Sequence, residues 1–295
     1  MKGFASAGFH AAERRAGLMF LAPALIAYVV VILWPFANSI FMSLYEFTLL
    51  DPVPKFAGLG NFRRILSEPT VIQAWLTTLG FVICTTALAT LLGLAWALLM
   101  QQPFWARDFI RAASLLAWVL PATVTAFLWS WILNGRYGIL NAALLGLGIL
   151  DRPVAWLSDS TGARVAIMMA KSWLSIPLYM TFFLSGMQSL SKEQLEAARI
   201  DGANNWHLVR HVVVPHLRPT LMIVVLIAAI GNIHQFDVIY ALTSGGPVRA
   251  TTTLSVEIYK QAFENWDMGF AAAIGVIYVI SVLPPAWAYL RRLVK

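Results

Sequence analysis

The sequence predicts an all-α integral membrane protein with six transmembrane helices. Two observations lead to this fold class. First, 59% of the 295 residues are hydrophobic and only 12% are charged, whereas an ordinary soluble domain carries about 25% charged residues. Second, six apolar stretches are long enough to cross a hydrocarbon core about 30 Å thick, which takes roughly 20 helical residues. The same composition argues against a disordered chain, a coiled coil and a disulfide-built secreted scaffold.

The six predicted spans are separated by more polar segments, and several contain proline. In chain order they cover residues 17–39, 77–100, 111–133, 165–184, 220–242 and 269–290. The first is too long for a signal peptide and lacks a small-residue cleavage site, so we interpret it as a retained span. Neighbouring helices in a membrane can bond the carbonyls that a proline frees, so we expect Pro35, Pro121 and Pro177 to kink their spans without ending them.

The distribution of Lys and Arg predicts that both termini are cytoplasmic. Twelve basic residues fall in the N-terminal segment, the turn after span two, the loop after span four and the C-terminal tail. Eight lie on the opposite side, in longer loops that also hold eight acidic residues. Short cytoplasmic segments carry the surplus of Lys and Arg. We therefore predict a cytoplasmic N-terminus over residues 1–16, one transmembrane domain over 17–290 and a cytoplasmic tail over 291–295.

The chain carries a net charge of +7 but shows no sign of nucleic-acid binding or catalysis. Its basic residues lie at the ends of apolar segments and not on a water-facing patch with aromatics between them, as nucleic-acid binding would require. The sequence has no phosphate-binding loop, no His-Glu-x-x-His helix and no Gly-x-Ser-x-Gly motif, so we predict a non-catalytic chain that binds no cofactor. The single cysteine, Cys84, excludes an intramolecular disulfide.

Five histidines are scattered along the chain, and one pair has a spacing that can bind metal. His207 and His211 are four residues apart on one predicted helix, which places them on the same face. No third ligand lies near them in the sequence. We therefore interpret the pair as part of a polar helix face and predict no metal site.

The loop over residues 189–219, between spans four and five, is predicted to form a helix–turn–helix on the cytoplasmic side. Ser191 followed by Gln194 forms a Ser-x-x-Gln capping box, which marks a helix start. Gly202 ends this first helix, and residues 208–214 form a second apolar segment. The first helix has an apolar stripe of Leu195, Ala198 and Ile200. From its pattern alone, the loop could be a partner-binding surface or a simple connector.

Three segments of this loop resemble a known signature. They are Glu196-Ala197-Ala198, Asp201-Gly202-Ala203 and Val212-Val213-Val214-Pro215. Their order and spacing resemble the Glu-Ala-Ala…Gly…Ile-x-Leu-Pro signature of binding-protein-dependent ABC importer permeases, with valines where Ile and Leu are usual. Residues 21–26, 56–62, 236–247, 251–254 and 258–263 also look like the carbohydrate branch of this family, in its first, maltose- and glycerol-phosphate-like permease type.

The resemblance implies a division of labour in a bacterial cytoplasmic (inner) membrane. An extracytoplasmic solute-binding protein would deliver a sugar, polyol or glycerol-phosphate-like solute to two different permeases that form the pathway. Two separate ATPase subunits would bind ATP and Mg, and the 189–219 loop would couple them to the spans. The coupling residues that the resemblance implies are Glu196, Ala197, Ala198, Asp201, Gly202 and Pro215. A flexible turn at Gly202 agrees with this role, because only glycine adopts a positive φ without strain.

Predicted span five carries an unusual concentration of polar side chains. Ionisable residues in a membrane are costly and usually face the bundle interior. His234 and Asp237, three residues apart on the predicted helix, would share a face and could pair. Sugar hydroxyls need such donors and acceptors, and aromatic rings cover the apolar faces of a sugar. Trp131 could supply such a ring, as could two of the residues named next. Our pathway candidates are Asn232, His234, Gln235, Asp237, Trp129 and Tyr240. The alternative is a structural His–Asp pair, with tryptophans forming interfacial belts.

Two further alternatives concern charge in the membrane. Lys171 in span four could pair with an acidic residue or extend its ammonium group to the interface, and we favour the second. A further hypothesis, based only on charge, is contact with a phosphate-bearing solute. His234 and Asp237 could form the proton relay of a self-sufficient secondary carrier. Such carriers commonly show repeated halves with broken helices at matching positions, and we find no convincing repeat. The loop signature therefore favours the ATP-driven importer.

Overall fold

The computed structural model describes residues 17–51 and 53–293, which are mostly helical. The elements are α1 (Gly17–Met42), β1 (Tyr45–Glu46), β2 (Lys55–Phe56), α2 (Gly60–Ser67), α3 (Pro69–Gln101), α4 (Arg107–Val119), α5 (Ala122–Ile132), α6 (Ile139–Gly146), α7 (Ser160–Gln188), α8 (Lys192–Ile200), α9 (Asn205–His216), α10 (Arg218–Ile233), α11 (Asp237–Thr243), α12 (Leu254–Tyr259) and α13 (Met268–Leu293). The chain forms two compact units. The first holds the described residues up to Glu68 together with 258–282, and the second holds 69–257 with 283–293.

Among the described residues, three single helices are long and apolar enough to cross a membrane. These are α1, α3 and α7, which confirm long helices at predicted spans one, two and four. Two helix pairs pass the same test together but are sharply bent, α4 with α5 by 105° and α9 with α10 by 70°. The described chain therefore contains three to five candidate spans. The count of six remains a prediction, since the apolar part of α13, Met268–Leu283, is shorter than the other spans.

The third predicted span is not continuous. The helix ends after Val119, Leu120 is extended with φ −64° and ψ 137°, and the next helix begins at Ala122. Our expectation of a kink at Pro121 is therefore wrong, because the chain breaks there. A proline disfavours the helical conformation of the residue before it, and its carbonyl then starts the next helix by accepting a hydrogen bond from the Thr125 amide at 3.0 Å.

The fifth predicted span is also broken, at its polar segment. The helix α10 ends at Ile233, and α11 begins at Asp237. The hydroxyl of Ser255 donates to the Ile233 carbonyl at 3.5 Å, which gives a partner to one of the acceptors left at a helix end. Asp237 lies in the first turn of α11, where a negative charge complements the helix dipole. The continuous helix predicted over residues 220–242 is therefore wrong.

The second unit is built around close packing of α3 against α7. Ala89, Gly93 and Ala97, four residues apart on α3, belong to its buried face. A Cβ atom added to Gly93 would lie 2.8 Å from the Cβ of Tyr179 on α7. Small residues allow helix backbones in a membrane to approach in this way. Two apolar clusters occupy this unit, one containing Phe81, Trp129, Ile167 and Ile239, the other Met180, Phe183, Val213 and Leu217.

The first unit joins α2 and the start of α13 to the short β1–β2 hairpin. The Asn61 side chain donates to the Ser43 and Tyr45 carbonyls, each at 2.9 Å. A Cβ on Gly269 would lie 2.1 Å from the Tyr45 carbonyl oxygen, so only glycine fits there. Arg64 pairs with Asp267 at 2.6 Å. These contacts order the loops of this unit, whereas the apolar part of α1 contains no buried residue.

Candidate functional site

The 189–219 loop begins as the sequence predicts. Ser191 is the N-cap of α8, and its hydroxyl accepts a hydrogen bond from the Gln194 amide at 3.3 Å. The predicted helix start at Ser191 is therefore confirmed. Glu193 lies in the first turn of α8 and Arg199 in the last, where both charges complement the helix dipole.

The turn that follows α8 has a defined geometry. Gly202 has φ +86°, and its amide bonds the Arg199 carbonyl at 3.0 Å. The Ala203 amide bonds the Ala198 carbonyl, also at 3.0 Å. These two bonds constitute a Schellman motif, in which a left-handed residue closes the helix end. A Cβ on Gly202 would meet no atom within 4 Å, so the backbone angle, and not crowding within this chain, requires glycine.

The tip of the loop exposes both apolar and acidic side chains. Ile200 is 85% exposed and Trp206 is 66% exposed. Leu195, in contrast, packs against the second apolar cluster, so the predicted stripe that joined it to Ile200 is wrong. Five residues correspond to about 140° around a helix, which turns Ile200 away from the buried face. Four of the implied coupling residues are exposed around the same turn: Glu196, Ala197, Asp201 and Gly202; Ala198 is partly buried.

The second half of the loop anchors it to the helix bundle. Asn204 caps α9 by accepting a hydrogen bond from the His207 amide at 2.9 Å. The helix widens into a π-helical stretch over Val209–Val213 and continues through Pro215 to His216. His216 contacts the Ser189 hydroxyl through Nε2 at 2.9 Å. Pro215 is exposed, but it lies at the base of the loop, two residues before buried Leu217, and not at the tip.

The histidine pair on α9 is arranged side by side. The His207 and His211 rings stack with centroids 5.7 Å apart. Each Nδ1 atom has a local oxygen partner, the Asn204 side chain for His207 and the His207 carbonyl for His211. Over residues 17–51 and 53–293, no group of three His, Cys, Asp or Glu side chains is placed to hold a metal ion.

The polar candidates from predicted span five have different surroundings. Asn232 is buried and donates its amide to the Thr86 hydroxyl at 3.0 Å. Its side-chain oxygen is also buried and has no partner among the described residues. Gln235 is buried, whereas His234 and Asp237 are exposed. Because α10 ends before His234, the prediction that His234 and Asp237 share a helical face is wrong.

The aromatic candidates also differ. Trp129 is only 8% exposed and belongs to the first apolar cluster, with its ring edge-on to Trp173 at 6.4 Å. Tyr240 stacks on Phe236 with ring centroids 5.0 Å apart. Trp131 is 74% exposed, which agrees with a lipid-facing belt position. A contact of Trp129 with a solute would therefore require this cluster to open.

Lys171 lies within α7 and is partly buried. Its ammonium group makes no hydrogen bond or ion pair with any residue that the structure describes. This placement does not support the ion pair with an acidic residue, and it is compatible with extension to the interface and with contact with an anionic solute.

The structure also places together residues that the sequence did not single out as a group. Glu257 is fully buried and pairs with Arg249 across the segment that follows α11. The neighbouring Thr251, Thr252 and Thr253 are also buried. Both residues follow the Gly245-Gly246-Pro247 turn in the sequence, eight residues apart, and nothing in this spacing indicates burial.

Comparisons with known proteins agree with the resemblance seen in the loop. The family model described as binding-protein-dependent transport system inner membrane component matches residues 89–291. The trehalose/maltose transport system permease protein MalF of Thermococcus litoralis is 31% identical over 279 residues, which cover 95% of this chain and 94% of that protein. The lactose transport system permease protein LacF of Rhizobium radiobacter is 30% identical over 282 residues, with 93% and 92% covered.

A solved structure shows the same fold. One chain of a bacterial ABC transporter involved in the import of the acidic polysaccharide alginate superposes with a TM-score of 0.77. The match covers 95% of this chain and 96% of that one at 17% identity. Since the family model covers more than half of the sequence, the chain belongs to the family of inner-membrane components of binding-protein-dependent transport systems.

Proposed function

We propose that this chain is one of two permease subunits in an ATP-driven importer of a carbohydrate, in the broad sense of a sugar, polyol or glycerol-phosphate-like solute. Family membership supports the transport role. Support for a carbohydrate comes from relatives named for trehalose/maltose and lactose transport. We place the chain in the bacterial inner membrane with six spans and both termini in the cytoplasm, following its charge distribution.

The chain works with other proteins in this proposal. A binding protein delivers the solute, as suggested by an alginate transporter of the same fold that was solved with its solute-bound periplasmic protein. A second permease completes the pathway, and two ATPase subunits bind ATP and Mg. This chain itself is non-catalytic and carries no cofactor.

The single observation that carries the coupling proposal is the exposed tip of the 189–219 loop. Gly202 holds a defined turn, and Ile200 and Trp206 stand out from it into solvent. At the base, the Ser189–His216 contact and buried Leu217 tie the loop to α7 and α10. A tip that binds a partner and a base that is fixed to the spans together allow ATPase closure to move the bundle.

The energetic requirement on this coupling is definite. A ligand shifts a conformational equilibrium only if it binds the two states with different affinity. ATP must therefore change how the ATPase holds the loop tip, and the anchored base must carry that difference into α7 and α10. We assign the docking surface to Glu196, Ala197, Ala198, Asp201 and Gly202, with Ile200 and Trp206 beside them, and Pro215 to the base.

Co-purification from native membranes tests the proposal. The chain is tagged at its C-terminus, extracted in mild detergent, and the co-purifying proteins are quantified. We expect an ATPase and a second permease in comparable amounts. Replacing Ile200 and Trp206 by serine should lower ATPase recovery selectively, since an interface tryptophan can contribute about 2 kcal/mol or more. The matched control is Leu147→Ser, an exposed apolar residue outside the loop.

Two results would contradict the proposal. If the chain is recovered alone and transports in liposomes under an ion gradient, it is a secondary carrier. If the Ile200/Trp206 double variant keeps full ATPase recovery and full transport, the loop tip is not the docking surface, even though the chain is a permease subunit.

A further inference from the structure

We propose that a cavity between one end of α3 and the start of α7 binds an oxyanion carried by the transported solute: a carboxylate, sulfonate or phosphate group. This inference rests on the proposed function, because it assumes that the chain carries a solute. The cavity has a volume of about 280 Å³ and lies entirely within the second unit. Its lining includes Gln73, Thr77, Gly80, Phe81, Arg164 and Met168.

Arg164 is an exposed residue whose guanidinium group makes one hydrogen bond with the described part of the chain. Its Nε donates to the Ala250 carbonyl at 3.0 Å, which ties the start of α7 to the segment after α11. Its two terminal amino groups make no hydrogen bond or ion pair with any residue in the described part of the chain. A guanidinium has five N–H donors, so the structural contact leaves four. These four form the planar fork that matches an oxyanion in a bidentate way.

The opposite wall supplies groups suited to the rest of a sugar. Gln73 and Thr77 are four residues apart on α3, so they share one face of the helix. Neither side chain has a hydrogen-bond partner among the described residues. Their amide and hydroxyl groups can therefore donate to and accept from solute hydroxyls. Phe81 provides an apolar surface in the same lining, as ligand sites usually combine apolar walls with a few polar groups.

The charge and space in the cavity favour an anion of modest size. Arg164 is the only charged residue in the described lining, which contains no Asp or Glu. A Cβ on Gly80 would meet no atom within 4 Å, so this position leaves room for a ligand. The volume lies just below the range of roughly 300–1,000 Å³ of drug-sized sites. The cavity therefore suits one acidic sugar unit better than a long chain.

Charge-selective labelling tests the cavity without requiring transport. Cys84, the only cysteine of this chain and exposed on α3, is replaced by serine. Gly80→Cys is then introduced in the complete importer, and labelling is followed on this chain. The new thiol is then reacted with an anionic sulfonatoethyl and a cationic trimethylammonioethyl methanethiosulfonate. We expect the anionic reagent to react faster, relative to the free-thiol rates, and Arg164→Gln to remove that preference. Leu76→Cys, also in the lining and 65% exposed, is a second labelling position.

Protection by solutes identifies the ligand chemistry. Glucuronate and glucose differ at one carbon, so their relative protection of the thiol reports on the carboxylate alone. We expect glucuronate to protect at about 10- to 100-fold lower concentration, the range given by one strong charge-assisted hydrogen-bond pair. Glucose 6-phosphate is the second anionic probe and separates preference for phosphate from preference for carboxylate. Arg164→Gln should abolish the difference, whereas Arg152→Gln, an exposed arginine outside the cavity, should retain it.

Several outcomes would overturn the inference. They are equal protection by glucose and glucuronate, a difference that persists in Arg164→Gln, and thiols at both positions that do not react. Gln73→Leu is a second variant that keeps the hydrogen bond between Arg164 and Ala250, so its effect cannot come from loss of that structural contact. It should weaken protection by charged and neutral sugars alike. Since labelling measures only the cavity, its failure is distinct from failure to co-purify an ATPase, which would overturn the proposed function.

Discussion

Substitutions at Gly202 test whether the proposed ATPase partner packs closely against the loop turn. An L-residue held in the left-handed helical region costs roughly 1–2 kcal/mol, whereas asparagine adopts this region readily. Gly202→Ala should therefore shift the turn equilibrium by about 5- to 30-fold, and Gly202→Asn by much less. If the backbone angle were the only requirement, the asparagine variant would work better than the alanine variant. If a partner packs against this position, the larger asparagine should be the worse of the two.

Gly148 is a matched control for these variants. It follows α6 with φ +68°, and a Cβ there would also meet no atom within 4 Å. Its amide bonds the Leu145 carbonyl, and the next amide bonds the Leu144 carbonyl, so it occupies the same Schellman motif as Gly202. The two positions therefore share the turn motif and the open surroundings, and only Gly202 lies in the proposed docking surface.

The assay is solute transport together with ATP hydrolysis by the complete importer in proteoliposomes. We expect Gly202→Asn to insert and assemble but to transport poorly per ATP hydrolysed. Gly202→Asp, which has the same size and adds a negative charge, should abolish transport. Gly148→Asn should transport normally. Normal transport by Gly202→Asn would refute the close approach, and equal losses in Gly202→Ala and Gly148→Ala would mean that backbone strain alone explains the effect.

Three further predictions concern packing and buried polar groups. Asn232→Leu or Thr86→Val should lower the free energy of unfolding by about 0.6 kcal/mol and at most about 1.7 kcal/mol, the range for hydrogen bonds between membrane helices. Unfolding in mixed micelles measures this change, and unchanged transport would exclude Asn232 as a solute contact. Gly93→Ala should destabilise the protein by about 1–3 kcal/mol through overpacking. Gly80→Ala should not, because the space around Gly80 is open, and equal effects of the two variants on thermal stability would contradict the close helix contact. Glu257→Gln removes the buried partner of Arg249, whose own side chain is 33% exposed. The cost should therefore stay below the about 3–5 kcal/mol of a fully buried pair, and an unchanged melting temperature would contradict the pairing.

Local chemistry made part of the loop predictable. The Ser191 cap and the helix end at Gly202 depend on interactions within a few residues, and the structure contains both. The exposed tip is harder to predict, because Ile200 is apolar and the sequence pattern groups it with Leu195 and Ala198 in one apolar stripe. Its exposure follows from which face of α8 meets the bundle through Leu195.

The breaks in the helices needed more than hydropathy. The 111–133 and 220–242 stretches have the length and apolarity of continuous spans, but the chain breaks at Pro121 and again between Ile233 and Asp237. Mean hydropathy measures transfer into lipid and contains no information on where freed carbonyls find partners. At Ile233 that partner is Ser255, 22 residues further along the chain.

The sequence by itself determined the membrane class, the long helices at spans one, two and four, the helix start at Ser191 and the family signature. Each depends on composition or on residues close together in the chain. Only the tertiary structure decided the surroundings of the functional side chains: Asn232 against Thr86, Glu257 against Arg249, and Arg164 facing Gln73 and Thr77 across a cavity. Asn232 and Thr86, like Arg164 and Gln73, lie on different helices, and Arg249 lies in the turn before α12. Burial, partners and open space are properties of how these elements pack, which no local pattern records.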